Sequence, residues 1–176
     1  MNVIATKIPG AFVLEMEPRR DERGFFARAW CARELAERGL SSSIAQINTT
    51  WCARAGTIRG MHFQRAPAAE VKVVRCHRGA AYDVIVDLRP DSPTHRQWVG
   101  VELTAAGCSM VYAPEGCAHG YLSLRDDTEV SYTTSAFYAP GEAGGVRYDD
   151  PAFDIRWPMP VQIVSTQDAS WPDYAT

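Results

Sequence analysis

Two of the four histidines stand among neighbours that suit proton chemistry. His62 lies in Arg59-Gly60-Met61-His62-Phe63-Gln64, between apolar residues and close to an arginine and a glutamine. An imidazole takes or gives a proton near neutral pH, and a guanidinium suits a phosphate or carboxylate. His119 sits in Pro114-Glu115-Gly116-Cys117-Ala118-His119-Gly120, where a Pro-x-Gly-x-x-His turn delivers it onto a following strand. Lysine is nearly absent: removing Lys7 and Lys72 from the 18 basic residues leaves sixteen arginines. A lysine inside a strand-like segment, as Lys72 is, therefore stands out.

These residues need a scaffold, and the periodicity supplies one. Short apolar runs recur between turn residues: Val3 to Lys7, Ala11 to Met16, Ile44 to Trp51, Val71 to Cys76, Tyr82 to Arg89, Gln97 to Leu103, Ser109 to Ala113, His119 to Leu124 and Glu129 to Thr134. Tyr82, Val84 and Val86 alternate with Asp83, Ile85 and Asp87 at the period of a strand. Trp30 to Arg38 reads as the one convincing helix, anchored by Leu35 and stopped by Gly39. Short strands at regular spacing with Gly and Pro turns predict an all-β sandwich or jelly-roll barrel. From Asp150 to Thr176 the chain reads as an irregular, proline- and tryptophan-rich segment packed over that barrel.

The 176 residues suit one domain, 1–176, with a substantial core. Hydrophobic and charged fractions of 46% and 22% are ordinary for a globular chain, and a net charge of −3 offers no basic field to recruit nucleic acid. An anionic ligand must instead meet locally placed arginines. No apolar run reaches the roughly 18 residues of a membrane span. The first twenty residues lack the pattern of a signal peptide. Five cysteines, with no C-x-x-C pair among them, suit reduced thiols in a cytoplasm.

The Gly-rich turns and the two histidine segments together resemble the cupin superfamily, a double-stranded β-helix barrel. Many cupins hold a metal with a His-x-His pair, a later Glu and a final His. Here Gln64 stands where the second histidine would be, so a metal-dependent oxygenase or isomerase would have only His62, Glu70 and His119 to work with. The resemblance then narrows. Asp21-x-Arg23-Gly24-Phe25-Phe26, Gln46-x-Asn48, Arg59-Gly60-Met61-His62-Phe63-Gln64, Lys72-Val73-Val74-Arg75-Cys76, Asp83-Val84-x-Val86-Asp87-Leu88-Arg89, Ser92-Pro93-Thr94, Pro114 to Gly120, Tyr138-x-Pro140 and Trp157-Pro158 occur in that order. This set is similar to the dTDP-4-dehydrorhamnose 3,5-epimerase family, and the match runs from about Ile4 to Asp168. Any one fragment is weak, but nine in register are not chance.

The resemblance implies metal-free, cofactor-free epimerisation of a nucleotide-linked 4-keto-6-deoxyhexose at the carbons flanking the ketone. Such a reaction needs a base for a carbon acid, a group to stabilise the enolate oxygen, and a proton donor on the opposite ring face. By resemblance, His62 is the base, Asp168 braces its other ring nitrogen, Tyr132 is the acid and Lys72 sits by the C4 oxygen with His119 assisting. Arg23 and Arg59 match positions that meet the pyrophosphate, while Phe26, Arg28, Gln46, Asn48, Tyr138 and Glu142 match positions around the nucleotide or sugar. A homodimer whose N-terminal strands extend the partner's sheet is likewise implied. Three departures stand out. Arg28 replaces a usual glutamate, the Tyr138-to-Glu142 segment is short, and Tyr121 replaces a common phenylalanine. The other readings are the metal-dependent cupin and an idle sugar-nucleotide binder. Strand parity also sets a puzzle, because a regular strand points Arg59 and His62 to opposite faces, unless Gly60 interrupts it.

Overall fold

A computed structural model describes residues 1–174. Strands β1 (Asn2–Ala5) and β2 (Phe12–Glu15) pair antiparallel around the Pro9-Gly10 turn. A small hairpin, β3 (Arg19–Asp21) and β4 (Gly24–Phe26), and a short helix α1 (Ala32–Ala36) follow. The chain then lays down β5 (Gln46–Cys52), β6 (Ile58–Gln64), β7 (Lys72–Arg78), β8 (Ala80–Asp87), β9 (Trp98–Thr104), β10 (Ser109–Ala113), β11 (Cys117–Ser123) and β12 (Thr128–Thr134). A short β13 (Ala143–Gly145) and helix α2 (Thr166–Ala169) complete it.

The strands form two antiparallel sheets, ordered β1-β2-β10-β7-β12-β5 and β13-β6-β11-β8-β9. This is the all-β jelly roll that the turn spacing predicts, of the cupin type that the resemblance implies. Helix α1 is shorter than the expected Trp30–Arg38. Cys31 at its start is extended and gives no side-chain cap, and Gly39, at φ +70°, stops it.

Side-chain parity sorts the strands into layers. Between the sheets lie Val74 and Cys76 from β7, Ala81 and Ile85 from β8, Val111 from β10, Cys117 and Tyr121 from β11 and Val130 from β12. The alternate residues face outward. Tyr82, Val84 and Val86 pack under Phe153, Ile155 and Trp157 of the C-terminal segment, while Val71, Val73 and Met110 pack against Leu35 of α1. Burying a side chain such as Leu35 contributes about 1.5–3 kcal/mol, so both covering segments are held by burial rather than by propensity. The same parity aims Lys72, Asp83, His119 and Tyr132 between the sheets. Apolar residues fill one end of that space and polar ones open the other. Among the described residues no helix is long and apolar enough to cross a membrane.

Candidate active site

The parity puzzle is resolved at β6. Its register against β11 pairs Tyr121 with Arg59 and His119 with His62, so three steps on β6 face two on β11. This bulge turns Arg59 and His62 to the same side. Gly60 occupies it at φ +117°, and a Cβ there would lie 2.6 Å from Gly120 Cα and 2.7 Å from the His119 carbonyl oxygen. Only a glycine fits both the backbone angle and the close approach.

Asp168 reaches His62 through the tail. The Ile58 N–H donates to Ile163 O at 2.9 Å and the Gln162 N–H to Gly56 O at 2.8 Å, stitching the segment to the start of β6. Ser165 then caps α2 by accepting from the Asp168 N–H at 3.0 Å. The carboxylate is thereby folded back onto β6. Oδ1 lies 2.7 Å from His62 Nε2, and Oδ2 accepts from the Gly60 N–H at 3.2 Å. Burial alone would raise its pKa, but the His62 hydrogen bond, the imidazole's charge and the Gly60 N–H together hold it below the ordinary carboxylate value. The His62 side chain is 44% exposed and that of Asp168 only 7%. A buried carboxylate thus braces an accessible ring, a pairing that fixes the tautomer and stabilises an imidazolium.

Lys72 is 8% exposed, and its ammonium lies 3.0 Å from Glu70 Oε1 and donates to the His62 carbonyl at 3.3 Å. Tyr132 stands between Asn48 of β5 and Val74 of β7, and burial raises the pKa of its hydroxyl, which stays protonated at neutral pH. His119 Nε2 meets Asp83 Oδ2 at 2.8 Å. Asp83 is fully enclosed, and its Oδ1 has no partner among the described residues. Burial raises its pKa, against the opposing charges of His119 and Lys72.

Two adjoining cavities of about 410 and 420 Å³ share His62, Lys72, Tyr132 and Gln167. The first also takes in Arg59, His119, Tyr121 and Asp168, and the second Gln46, Asn48, Glu70 and Tyr138. Nine of the thirteen residues singled out in the sequence therefore converge. Arg23, Phe26, Arg28 and Glu142 line neither cavity. Arg23 pairs with Asp21 within its own hairpin, and Arg28 pairs with Glu34 at 3.1 Å. Phe26 is 69% exposed on β4. Glu142 is held in the turn before β13, where its carbonyl accepts from the Arg65 N–H. Arg59 has no carboxylate partner among the described residues, which leaves it free for an anion in the cavity.

Sequence reasoning did not single out Gln167, Thr50, Ile163, Trp171 or the Asp83 partner of His119. For Asp83 a signal existed, since its parity with Ile85 places it inside the barrel. Gln167 had none, because a residue in a proline-rich tail carries no period. The three residues of the metal-dependent reading are each otherwise engaged: His62 with Asp168, Glu70 with Lys72 and His119 with Asp83. Among the described residues no group of three or more His, Cys, Asp or Glu side chains stands together as a metal-ligand set.

The arrangement sets a carboxylate-braced imidazole, a protonated phenol and a buried ammonium around one space, groups able to serve carbon-acid chemistry. Comparison with known proteins places the chain in a family. Residues 5–176 match the family model described as dTDP-4-dehydrorhamnose 3,5-epimerase. A protein of that name from Sinorhizobium fredii is 40% identical over 164 residues, 89% of this chain and 82% of its own. Another from Salmonella typhimurium is 38% identical over 98% of this chain and 94% of its own. The crystal structure of the Bacillus anthracis dTDP-4-dehydrorhamnose 3,5-epimerase, with TDP and PPi bound, superposes with a TM-score of 0.94 at 39% identity, covering 98% of this chain and 99% of that one. The chain belongs to the dTDP-4-dehydrorhamnose 3,5-epimerase family of carbohydrate epimerases.

Proposed function

We propose that this chain epimerises a dTDP-linked 4-keto-6-deoxyhexose at one or both carbons flanking the ketone, with His62 as the base. The observation that carries this reading is the His62–Asp168 pair, whose imidazole is open to the cavity while its carboxylate is sealed behind it. In the proposed reaction His62 removes the hydrogen α to the C4 carbonyl, and Asp168 stabilises the imidazolium that results. Lys72, with His119 beside it, holds the negative charge that develops on the C4 oxygen. Tyr132, protonated and across the shared space, returns a proton from the other ring face. That last step makes the outcome an inversion, since one base returning its own proton restores the starting centre. Gln46, Asn48 and Tyr138 line the adjoining cavity, where the sugar nucleotide extends, and Arg59 meets the diphosphate. The nucleotide choice rests on the names of the relatives and on the TDP bound in the Bacillus anthracis structure.

We further propose a homodimer. The β3–β4 hairpin carries Arg23 and Phe26 away from its own cavities. β1 and β5 are the open edges of the larger sheet, so pairing with a second copy would satisfy exposed backbone groups. A second copy is also what would bring a hairpin to a cavity that lacks one. The cytoplasm is the proposed location, in keeping with five cysteines that are all free thiols.

The test is turnover of dTDP-4-keto-6-deoxyglucose in heavy water, read by mass and NMR. The expected result is solvent deuterium at C3, C5 or both together with inverted product. Tight binding without exchange would mean an idle binder. Exchange that appears only with a stoichiometric transition metal would favour the metal-dependent reading.

A further inference from the structure

Arg59 is held by a chain of hydrogen bonds whose direction can be assigned at every link. Its Nε donates to Cys52 Sγ at 3.4 Å. Cys52 Sγ lies 3.6 Å from Tyr121 Oη, which lies 2.6 Å from Thr50 Oγ1. Thr50 Oγ1 donates to the Val130 carbonyl at 3.1 Å. Arginine can only donate and a carbonyl can only accept, so the two ends fix everything between them. Thr50 spends its hydrogen on Val130, so Tyr121 must donate to Thr50. The Tyr121 oxygen is then the acceptor for the Cys52 S–H, and the Cys52 sulfur is the acceptor for Arg59. Each hydrogen is used once and none is left over.

We propose that Tyr121 and Cys52 are positioning residues for Arg59, tying the guanidinium to the Val130 backbone on the far sheet so that its free edge faces a diphosphate. This rests on the reading of Arg59 as the diphosphate contact. The chain runs from Val130 of β12 to Thr50 of β5, across to Tyr121 of β11, back to Cys52 of β5 and across again to Arg59 of β6. Burial raises the pKa of the Tyr121 hydroxyl well above its ordinary value, so it remains a donor at any working pH. A second tether runs from Arg59 Nη2 to the Trp51 carbonyl at 3.1 Å. Two anchored nitrogens fix the plane of a rigid fork, and the remaining N–H groups have no carboxylate partner among the described residues. Pre-organising a cation in this way improves binding without altering the chemical step, because diphosphate contacts are made equally in the ground and transition states.

The test measures dTDP binding by calorimetry, together with kcat and KM, for wild type and the variants Tyr121→Phe, Cys52→Ala, Cys52→Ser and Arg59→Gln. Tyr121→Phe and Cys52→Ala should each raise Kd and KM about three- to tenfold, the size of one ordinary hydrogen bond, with kcat within about twofold. Cys52→Ser, which accepts and donates at the same place, should bind nearly as wild type. The Tyr121→Phe/Cys52→Ala pair should be no weaker than either single change, because the chain is already cut. If Tyr121→Phe and Cys52→Ala bind dTDP unchanged while Arg59→Gln binds weakly, the positioning role is wrong and the diphosphate contact stands. If Arg59→Gln also binds unchanged, both are wrong. A fall in kcat matching the loss of affinity would show a general structural role and overturn the proposal.

Discussion

His62 Nε2 and Asp168 Oδ1 meet at 2.7 Å although 106 residues separate them in the chain. The contact exists because the tail is stitched to the start of β6 and because a serine cap folds Asp168 back onto the bulge at Gly60. The proposed base and its brace thus come from distant parts of the chain, and the docking of an irregular segment brings them together.

Asp168→Asn keeps the shape of the side chain and removes its charge. An amide cannot stabilise an imidazolium and favours the wrong tautomer, so kcat should fall by roughly 10²–10⁴-fold with little change in substrate affinity. Steady-state kinetics on a variant with an unchanged circular dichroism spectrum checks this, and a loss under tenfold would contradict it.

Tyr132→Phe removes the proposed acid and leaves the base. Hydrogen exchange at the α-carbons should persist while net inversion falls by on the order of 10²-fold or more. Both are read in one NMR time course in heavy water. Equal losses of exchange and inversion would count against Tyr132 as a pure acid.

Gly60→Ala should damage both the fold and the site. Its methyl would lie 2.6 Å from Gly120 Cα, against backbone that cannot move aside cheaply, at a φ of +117°. The expected cost is about 1–3 kcal/mol in denaturant unfolding. Activity should fall further than stability accounts for, because Arg59 and His62 share a face only through the bulge.

Asp87 gives a pH signature remote from the chemistry. Burial alone would raise its pKa, but Arg89, Ser92 and Thr94 hydrogen bonds hold it far below the ordinary carboxylate range. A depressed folded pKa gives stability that is complete above the unfolded value, about 4, and is lost as pH falls below it toward the folded value. Asp87→Ala should therefore be less stable by on the order of 3 kcal/mol at pH 7. The gap between variant and wild type should narrow as the pH is lowered from 5 to 2 in urea titrations.

Much of this was legible in the sequence, for reasons that differ by residue. The alternation in β8 separated the outward Val84 and Val86 from the inward Asp83, and the strand runs lay within a few residues of their observed ends. Helix α1 was overextended because its apolar anchor says where a helix packs and not how many turns it keeps. Gly60 marked where the alternation could break, but that Arg59 and His62 share a face could not be read, because a bulge is a relation between two strands and Gly60 shows only one of them. Arg23, Phe26 and Arg28 matched a pattern, yet in one chain they stand outside both cavities, with Phe26 exposed on its hairpin. The proposed contact between copies would leave no trace in the periodicity of a single copy. Gln167 was invisible because its place follows from the docking of the tail, which no local signal encodes.

The most direct measurement is the rate at which solvent deuterium enters C3 and C5 of dTDP-4-keto-6-deoxyglucose with His62→Ala, set beside wild type at equal bound substrate. With His62 as the base, wash-in should run at the turnover rate for wild type and stay at background for a variant that still folds and still binds dTDP. Continued exchange at both carbons in that variant would mean that some other group removes the hydrogen, and that His62 is not the base.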